Sequence, residues 1–90
     1  MASRNVTVTN PLGIHARPAA LVVQAAARFR SEVHLSKGDV RGVNGKSIMG
    51  VMMLAAEQGA EVTIEAEGED AEAALAALAE LLASNFEDRI

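Results

Sequence analysis

Six residues near the start of the chain combine the side chains needed to hold and move a phosphoryl group: Gly13-Ile14-His15-Ala16-Arg17-Pro18. His15 precedes a stretch with helical spacing, so its imidazole is predicted at a helix N-terminus, where free N–H groups and the helix dipole attract anions. The dipole also favours the neutral, nucleophilic ring near pH 7. If His15 attacked a phosphoryl group, Arg17 could donate charge-assisted hydrogen bonds to the product. Without other information, a histidine at a helix start is more often a structural cap or a surface residue.

A second segment of interest surrounds Ser47, which precedes a short apolar stretch and is predicted as its N-cap, a role worth about 1 kcal/mol over alanine. Spacing places Val51 and Leu54 on a different stripe from Ile48 and Met52, and the sequence leaves open which stripe is core. Phosphorylation of Ser47 would add nearly two negative charges that the helix end tolerates. Each charge about 10 Å from a partner's carboxylate would cost roughly 1–2 kcal/mol, enough for a binding switch.

The elements that must position these residues follow from hydrophobic periodicity. Alternating patterns predict strands over residues 4–9, 32–37, 40–43 and 61–67, with the middle two forming a hairpin. Helical spacing predicts helices over 16–29, from Ser47 to before Gly59, and for about 15 residues from Glu69 and Asp70, whose charges complement the helix dipole. The predicted buried stripe of the last helix consists of Leu75, Leu78, Leu81 and Leu82.

The resulting order βαββαβα, with one apolar side on every strand, predicts an α/β (α+β) two-layer sandwich whose helices cover one sheet face and leave the other open. Ferredoxin-like binding domains have a similar pattern, and periodicity alone does not separate the two. Ninety residues predict a single domain, 1–90.

Composition narrows the class of protein. The net charge of −4 and the presence of only two aromatic residues argue against nucleic-acid binding. No apolar run is long enough to span a bilayer, no signal-peptide block is visible and there is no cysteine, so we expect a cytoplasmic protein that does not bind membranes. Residues 1–46 carry a net charge of +5 and residues 47–90 a net charge of −9, which predicts a basic face for an acidic partner and an acidic back.

At both segments the sequence resembles the HPr family, the histidine-containing phosphocarriers of the bacterial sugar phosphotransferase system. The resemblance covers essentially the whole chain and is carried by residues 13–18, 46–54 and 59–68. It implies an open-faced sandwich with an antiparallel sheet in the order 1-4-2-3. The serine segment is similar to that of bacteria possessing HPr kinase, and Gln24 and Ala27 stand where enteric relatives have lysines.

The resemblance further implies roles for individual residues. His15 would accept a phosphoryl group on Nδ1 from phosphorylated enzyme I and pass it to IIA domains of sugar permeases, with Arg17 stabilising the phosphohistidine. Ser47 would be the target of HPr kinase/phosphorylase, which favours complexes with a catabolite-control regulator. Such a protein is a covalent carrier rather than a stand-alone enzyme, and it needs no metal or cofactor. The implied partner-binding residues are Ala16, Arg17, Ala20, Gln24, Lys46, Ile48, Met49 and Met52.

Other functions remain open from the sequence. A regulatory adaptor acting mainly through Ser47 without sugar transport is one, and a nitrogen-type phosphotransfer relay is an intermediate case. A binding module in which His15 is structural is another, although the presence of His15 argues against the regulatory paralogue that lacks it. An exposed relay site favours a monomer. His34, on an outward strand position, is predicted to be a solvated surface residue without a role.

Overall fold

The computed structural model describes residues 2–10, 14, 16–54 and 56–84, and its elements follow the predicted order βαββαβα. The strands are β1 (Ala2–Thr7), β2 (Glu32–Lys37), β3 (Val40–Asn44) and β4 (Glu61–Glu67). The helices are α1 (Ala16–Ala27), α2 (Ile48–Met53) and α3 (Ala71–Leu82). Among the described residues, no helix has the length and apolar character needed to cross a membrane.

The four strands form one antiparallel sheet in the order β1-β4-β2-β3, as the resemblance implied. Strand β4 shows why one face is covered: Val62, Ile64 and Ala66 are buried, whereas the residues between them face away from the core. Helix α3 packs on β1 and β4, while α1 packs against α2 and α3. The open-faced sandwich with three helices on one side is therefore confirmed.

The core lies between the sheet and the helices. The predicted buried stripe of α3 is confirmed, because Leu75, Leu78, Leu81 and Leu82 are all buried. The largest fully buried side chains across all elements are Leu35, Leu54, Ile64, Leu75, Leu78, Leu82, Val8, Val22, Val33, Val51 and Val62. These side chains join every helix to the sheet in one core. The positions of α1 and α2, which carry the candidate site residues, therefore depend on the packing of the whole domain.

Strand β1 lies two residues earlier than its alternation predicted. Its length is set by β4, because Ala2 pairs with Ala66 and Thr7 with Glu61, where β4 begins. Val8 lies in the loop after β1, and its N–H still donates to the carbonyl of Ala60, just before β4, at 2.9 Å. The prediction of residues 4–9 was wrong at both ends, since strand ends depend on the partner strand as well as on local periodicity.

Helix α1 ends at Ala27 and not near Phe29. The N–H of Phe29 bonds back three residues to Ala26, at 3.1 Å, which tightens the last turn and ends the helix. The Phe29 side chain still packs against the core, which explains why it matched the helical pattern.

Helix α3 has 12 residues and begins at Ala71, after the two acids predicted to open it. Asp70 occupies the N-cap position, but its side chain does not cap α3. Its carboxylate accepts hydrogen bonds from the segment after α1 instead, so Glu72 is the acid in the first turn of α3. Asp70 therefore keeps its negative charge at the N-terminus of α3, where the helix dipole favours it, without donating or accepting a side-chain capping bond.

Candidate functional site

The first motif runs into α1. Gly13 and His15 lie outside the described residues, as does the side chain of Ala16. Ile14 is buried, and its N–H donates to the carbonyl of Ala56 at 2.8 Å, which ties this segment to the chain after α2. Helix α1 begins at Ala16, the residue after His15 in the sequence. A helix start at this position is what the sequence predicted.

Arg17 is exposed on the first turn of α1. Among the described residues, none makes a hydrogen bond or ion pair with its guanidinium. Ala20 and Gln24 follow it at three and seven residues, and therefore share its face of the helix. Gln24 is exposed and Ala20 half-buried. The opposite side of α1 is buried in the core: Pro18, Ala19, Val22 and Ala26.

Ser47 is the N-cap of α2, as predicted. It has extended backbone angles, φ −119° and ψ 122°, and its Oγ accepts a hydrogen bond from the N–H of Gly50 at 3.2 Å. The Ser47 N–H donates to the Asn44 carbonyl at 3.1 Å, so β3 fixes the cap from the other side. A Cβ on Gly50 would lie 3.0 Å from the same Asn44 oxygen, which shows how closely α2 approaches the end of β3.

Helix α2 divides its apolar residues between two sides, and the structure answers the question that the sequence left open. Val51 is fully buried on α2, and so is Leu54 just after it. The exposed fractions of the remaining apolar residues are 46% for Ile48, 73% for Met49, 42% for Met52 and 65% for Met53. We call these four residues the α2 face. Met53 was not among the predicted partner residues, although its spacing of four from Met49 places it on the same surface.

Lys46 has a structural contact that the sequence did not reveal. Its ammonium donates to the Phe29 carbonyl at 2.8 Å, and its backbone N–H donates to the side-chain oxygen of Asn44 at 2.9 Å. A cation on a carbonyl just beyond the last turn of α1 is favourable, and it ties the segment preceding Ser47 to that helix. The contribution of Lys46 to partner binding stays a prediction.

A second group of long-range hydrogen bonds holds the segment just after α1. The carboxylate of Asp70 accepts hydrogen bonds from the backbone N–H groups of Arg30 at 2.8 Å and Ser31 at 2.9 Å, and from the buried Ser31 hydroxyl. The hydrogen bond from the Ser31 side chain, followed by that from the Arg30 backbone, lowers the pKa of Asp70 to about 2. A Cβ on Gly68 would lie 2.5 Å from the Ser31 hydroxyl, so the two turns are in close contact.

The two layers differ in the charged residues that they expose. The outward side of the sheet carries Glu32, Glu61, Glu65 and Glu67, where Thr7 donates to Glu61 at 2.6 Å. Exposed arginines lie at both ends of α1, on the opposite layer. The strand glutamates predicted for the acidic back lie on the open sheet face, whereas the acids of the last helix, Glu72 and Glu80, are exposed on the helical layer. Within the described residues, no group of three or more His, Asp or Glu side chains is placed to bind a metal ion.

These features define a small open-faced α/β sandwich in which α1 packs against the serine-capped α2. Residues 2–84 match the family described as "PTS HPr component phosphorylation site". The chain is 50% identical over 88 residues to the phosphocarrier protein HPr of Treponema pallidum (strain Nichols), covering 98% of this chain and 99% of the relative.

Two solved structures extend the comparison. The crystal structure of the phosphocarrier protein HPr from Bacillus anthracis str. Ames has a TM-score of 0.84 and 48% identity, covering 90% of this chain and 95% of that one. The crystal structure of Crh, the Bacillus subtilis catabolite repression containing protein, described as a swapped dimer, has a TM-score of 0.72 and 50% identity, covering 91% and 93%. The chain belongs to the HPr family, the phosphocarriers of the phosphotransferase system.

Proposed function

We propose that this protein carries a phosphoryl group on Nδ1 of His15, receiving it from phosphorylated enzyme I and passing it to IIA domains of sugar permeases. One observation carries this function: a family match that includes the phosphorylation-site motif coincides with a helix that begins at the residue after His15. The exposed Arg17, in the first turn of that helix, supports it.

The proposed step needs little covalent help from the protein. The Nδ1 lone pair of a neutral imidazole attacks the phosphorus atom, a P–N bond forms, and the bond to the donor group of enzyme I breaks with its electron pair returning to that group. The phosphoryl charge is then stabilised by the helix end and by Arg17. Because this stabilisation is modest at an exposed site, the group can move on to the next acceptor, as a carrier requires.

The proposed partner surface combines the exposed sides of α1 and α2. The two helices pack against each other, and each has an exposed side: Arg17 and Gln24 are exposed on α1, and the α2 face is exposed on α2. Exposed apolar side chains and arginine are both enriched at recognition surfaces. The residues proposed for it are Ala16, Arg17, Ala20, Gln24, Lys46, Ile48, Met49 and Met52.

We further propose that Ser47 is phosphorylated by HPr kinase/phosphorylase, which lowers transfer through His15 and favours binding to a catabolite-control regulator. Ser47 immediately precedes the α2 face, so new charge there acts directly on docking. Serine and phosphoserine are both compatible with an N-cap position, so the switch needs no refolding.

A regulatory adaptor without sugar transport is the second candidate function. The likeness to Crh favours it, because that relative is described as a catabolite repression protein. The two candidates differ in the residue that matters, which is His15 for the carrier and Ser47 for the adaptor. The carrier proposal includes a cytoplasmic location and a monomeric state. The monomeric state is checked by size-exclusion chromatography with light scattering.

Phosphotransfer with two donors tests both sites. The wild type, His15→Ala and Ser47→Ala are incubated with enzyme I and phosphoenolpyruvate, or with HPr kinase and ATP. We expect the first donor to give an acid-labile, base-stable label that only His15→Ala loses, and the second to give an acid-stable label that only Ser47→Ala loses. His34→Ala and Ser3→Ala are the matched controls, because each removes the same side chain elsewhere. A label from the first donor that survives His15→Ala would refute the carrier function.

Arg17 is tested separately. Removing a charge-assisted donor costs about 1.5–3 kcal/mol, so Arg17→Ala is expected to slow transfer about 10- to 100-fold. Arg41→Ala, which removes an exposed arginine from the β2–β3 hairpin, is the control. Equal rates for both variants would exclude the proposed role of Arg17.

A further inference from the structure

The α2 face concentrates three of the four methionines of the chain. Met52 and Met53 follow Met49 by three and four positions, so the side chains of both lie next to that of Met49 on the helix surface. Their exposed fractions, 73%, 42% and 65%, leave the side chains accessible to small solutes. Three exposed methionines therefore occur within five positions of the chain.

Exposed thioethers are sites of a specific and reversible chemistry. A sulfur lone pair attacks one oxygen of hydrogen peroxide, an S–O bond forms as the O–O bond breaks, and the departing hydroxide takes up a proton to give water. The sulfur is oxidised by two electrons to the sulfoxide and the peroxide is reduced. The product is polar where the thioether was apolar, and methionine sulfoxide reductases reverse it.

We propose that Met49, Met52 and Met53 form a peroxide-sensitive modification site whose oxidation weakens docking of phosphotransfer partners without unfolding the domain. The proposal rests on the proposed function of the α2 face as a docking surface. Oxidation of these methionines would differ from phosphorylation of Ser47 in its signal, because it responds to an oxidant and not to a kinase.

The structure separates the modified atoms from the atoms that hold α2 in place. The helix is anchored by the fully buried Val51 and Leu54 and by the hydrogen bond from Gly50 to Ser47. None of these groups is a thioether. Oxidation therefore changes the polarity of the surface and leaves the core contacts intact, whereas sulfoxides in a core would disrupt packing.

The test compares the wild type with the variant Met49→Leu/Met52→Leu/Met53→Leu, each against its own untreated sample. Leucine keeps an apolar side chain and favours helix, but it cannot form a sulfoxide. Both proteins are treated with hydrogen peroxide, their sulfoxides are assigned by peptide mass mapping, and folding is checked by far-UV circular dichroism. The readout is the KM of enzyme I for the carrier with phosphoenolpyruvate as donor.

We expect one added oxygen at each of the three methionines, an unchanged dichroism spectrum, and a KM that rises about tenfold in the wild type and returns after reductase treatment. The leucine variant should show no change in KM on treatment. The proposal is overturned if the oxidised wild type keeps its KM, if it unfolds, or if the leucine variant shows the same rise. The untreated wild type reports separately on the carrier function. If enzyme I does not phosphorylate the untreated protein, the carrier function is refuted, and the proposed effect of oxidation on docking is refuted with it.

Discussion

Replacement of Ser47 by alanine and by aspartate tests whether the cap of α2 is as important to stability as its geometry indicates. Ser47→Ala removes the acceptor of the Gly50 N–H, in a helix of only six residues. The loss of an N-cap costs about 1 kcal/mol, and for a domain of this size that lowers the melting temperature by about 4–8 °C. Aspartate is as good a cap as serine, so Ser47→Asp should melt within about 2 °C of the wild type.

Thermal unfolding followed by circular dichroism measures these shifts directly. Ser3→Ala is the control, because Ser3 is exposed on β1 and surface changes of this kind alter stability by about 0.5 kcal/mol or less. If Ser47→Ala melts at the temperature of the wild type, or if Ser47→Asp melts as early as Ser47→Ala, the cap does not stabilise α2. Because Ser47→Asp also carries negative charge, a stable variant that docks poorly would separate regulation from unfolding.

Three further predictions concern the contacts that hold the site. Lys46→Met keeps the apolar stem but removes the donor to Phe29, so it should lower the free energy of unfolding by about 1–2 kcal/mol in urea titrations. The Asp70 carboxyl, with its pKa lowered from 3.8 to about 2, stabilises the fold above pH 3.8 and loses that contribution as the pH falls through about 2. In Asp70→Asn, the free energy of unfolding should therefore fall less between about pH 6 and about pH 2 than it does in the wild type. Gly68→Ala should cost about 3 kcal/mol or more and Gly38→Ala about 1–2 kcal/mol, because both glycines have positive φ but only Gly68 has neighbours within reach of a Cβ. Equal losses for the two glycine variants would contradict the close contact at Gly68.

Much of the fold follows from local patterns. The bounds of β2 and β4 match the alternation of their sequences, because buried apolar residues recur at every second position: Val33 and Leu35 in β2, and Val62, Ile64 and Ala66 in β4. The bounds of β1 do not, because an edge strand with few apolar residues takes its length from the register with β4. The start of α1 was predictable from the proline in its first turn, whereas its end depends on backbone hydrogen bonds made after Ala27.

The site shows the same division. The Ser47 cap was predictable because the signal lies within three residues. Which side of α2 is buried was not, because both sides are apolar and only packing against α1 and β3 distinguishes them. The contacts of Lys46 and Asp70 span 17 and about 40 residues of sequence, so they arise from tertiary structure alone.

The most direct test of the carrier function is the intact mass of the protein after incubation with enzyme I and phosphoenolpyruvate, followed by addition of excess pyruvate. We expect the wild type to gain the mass of one phosphoryl group and to lose it again when pyruvate draws the group back, whereas His15→Ala should show neither change and His34→Ala should show both. A phosphoryl group that appears on His15→Ala, or a wild type that never gains one, would rule out His15 as the carrier residue.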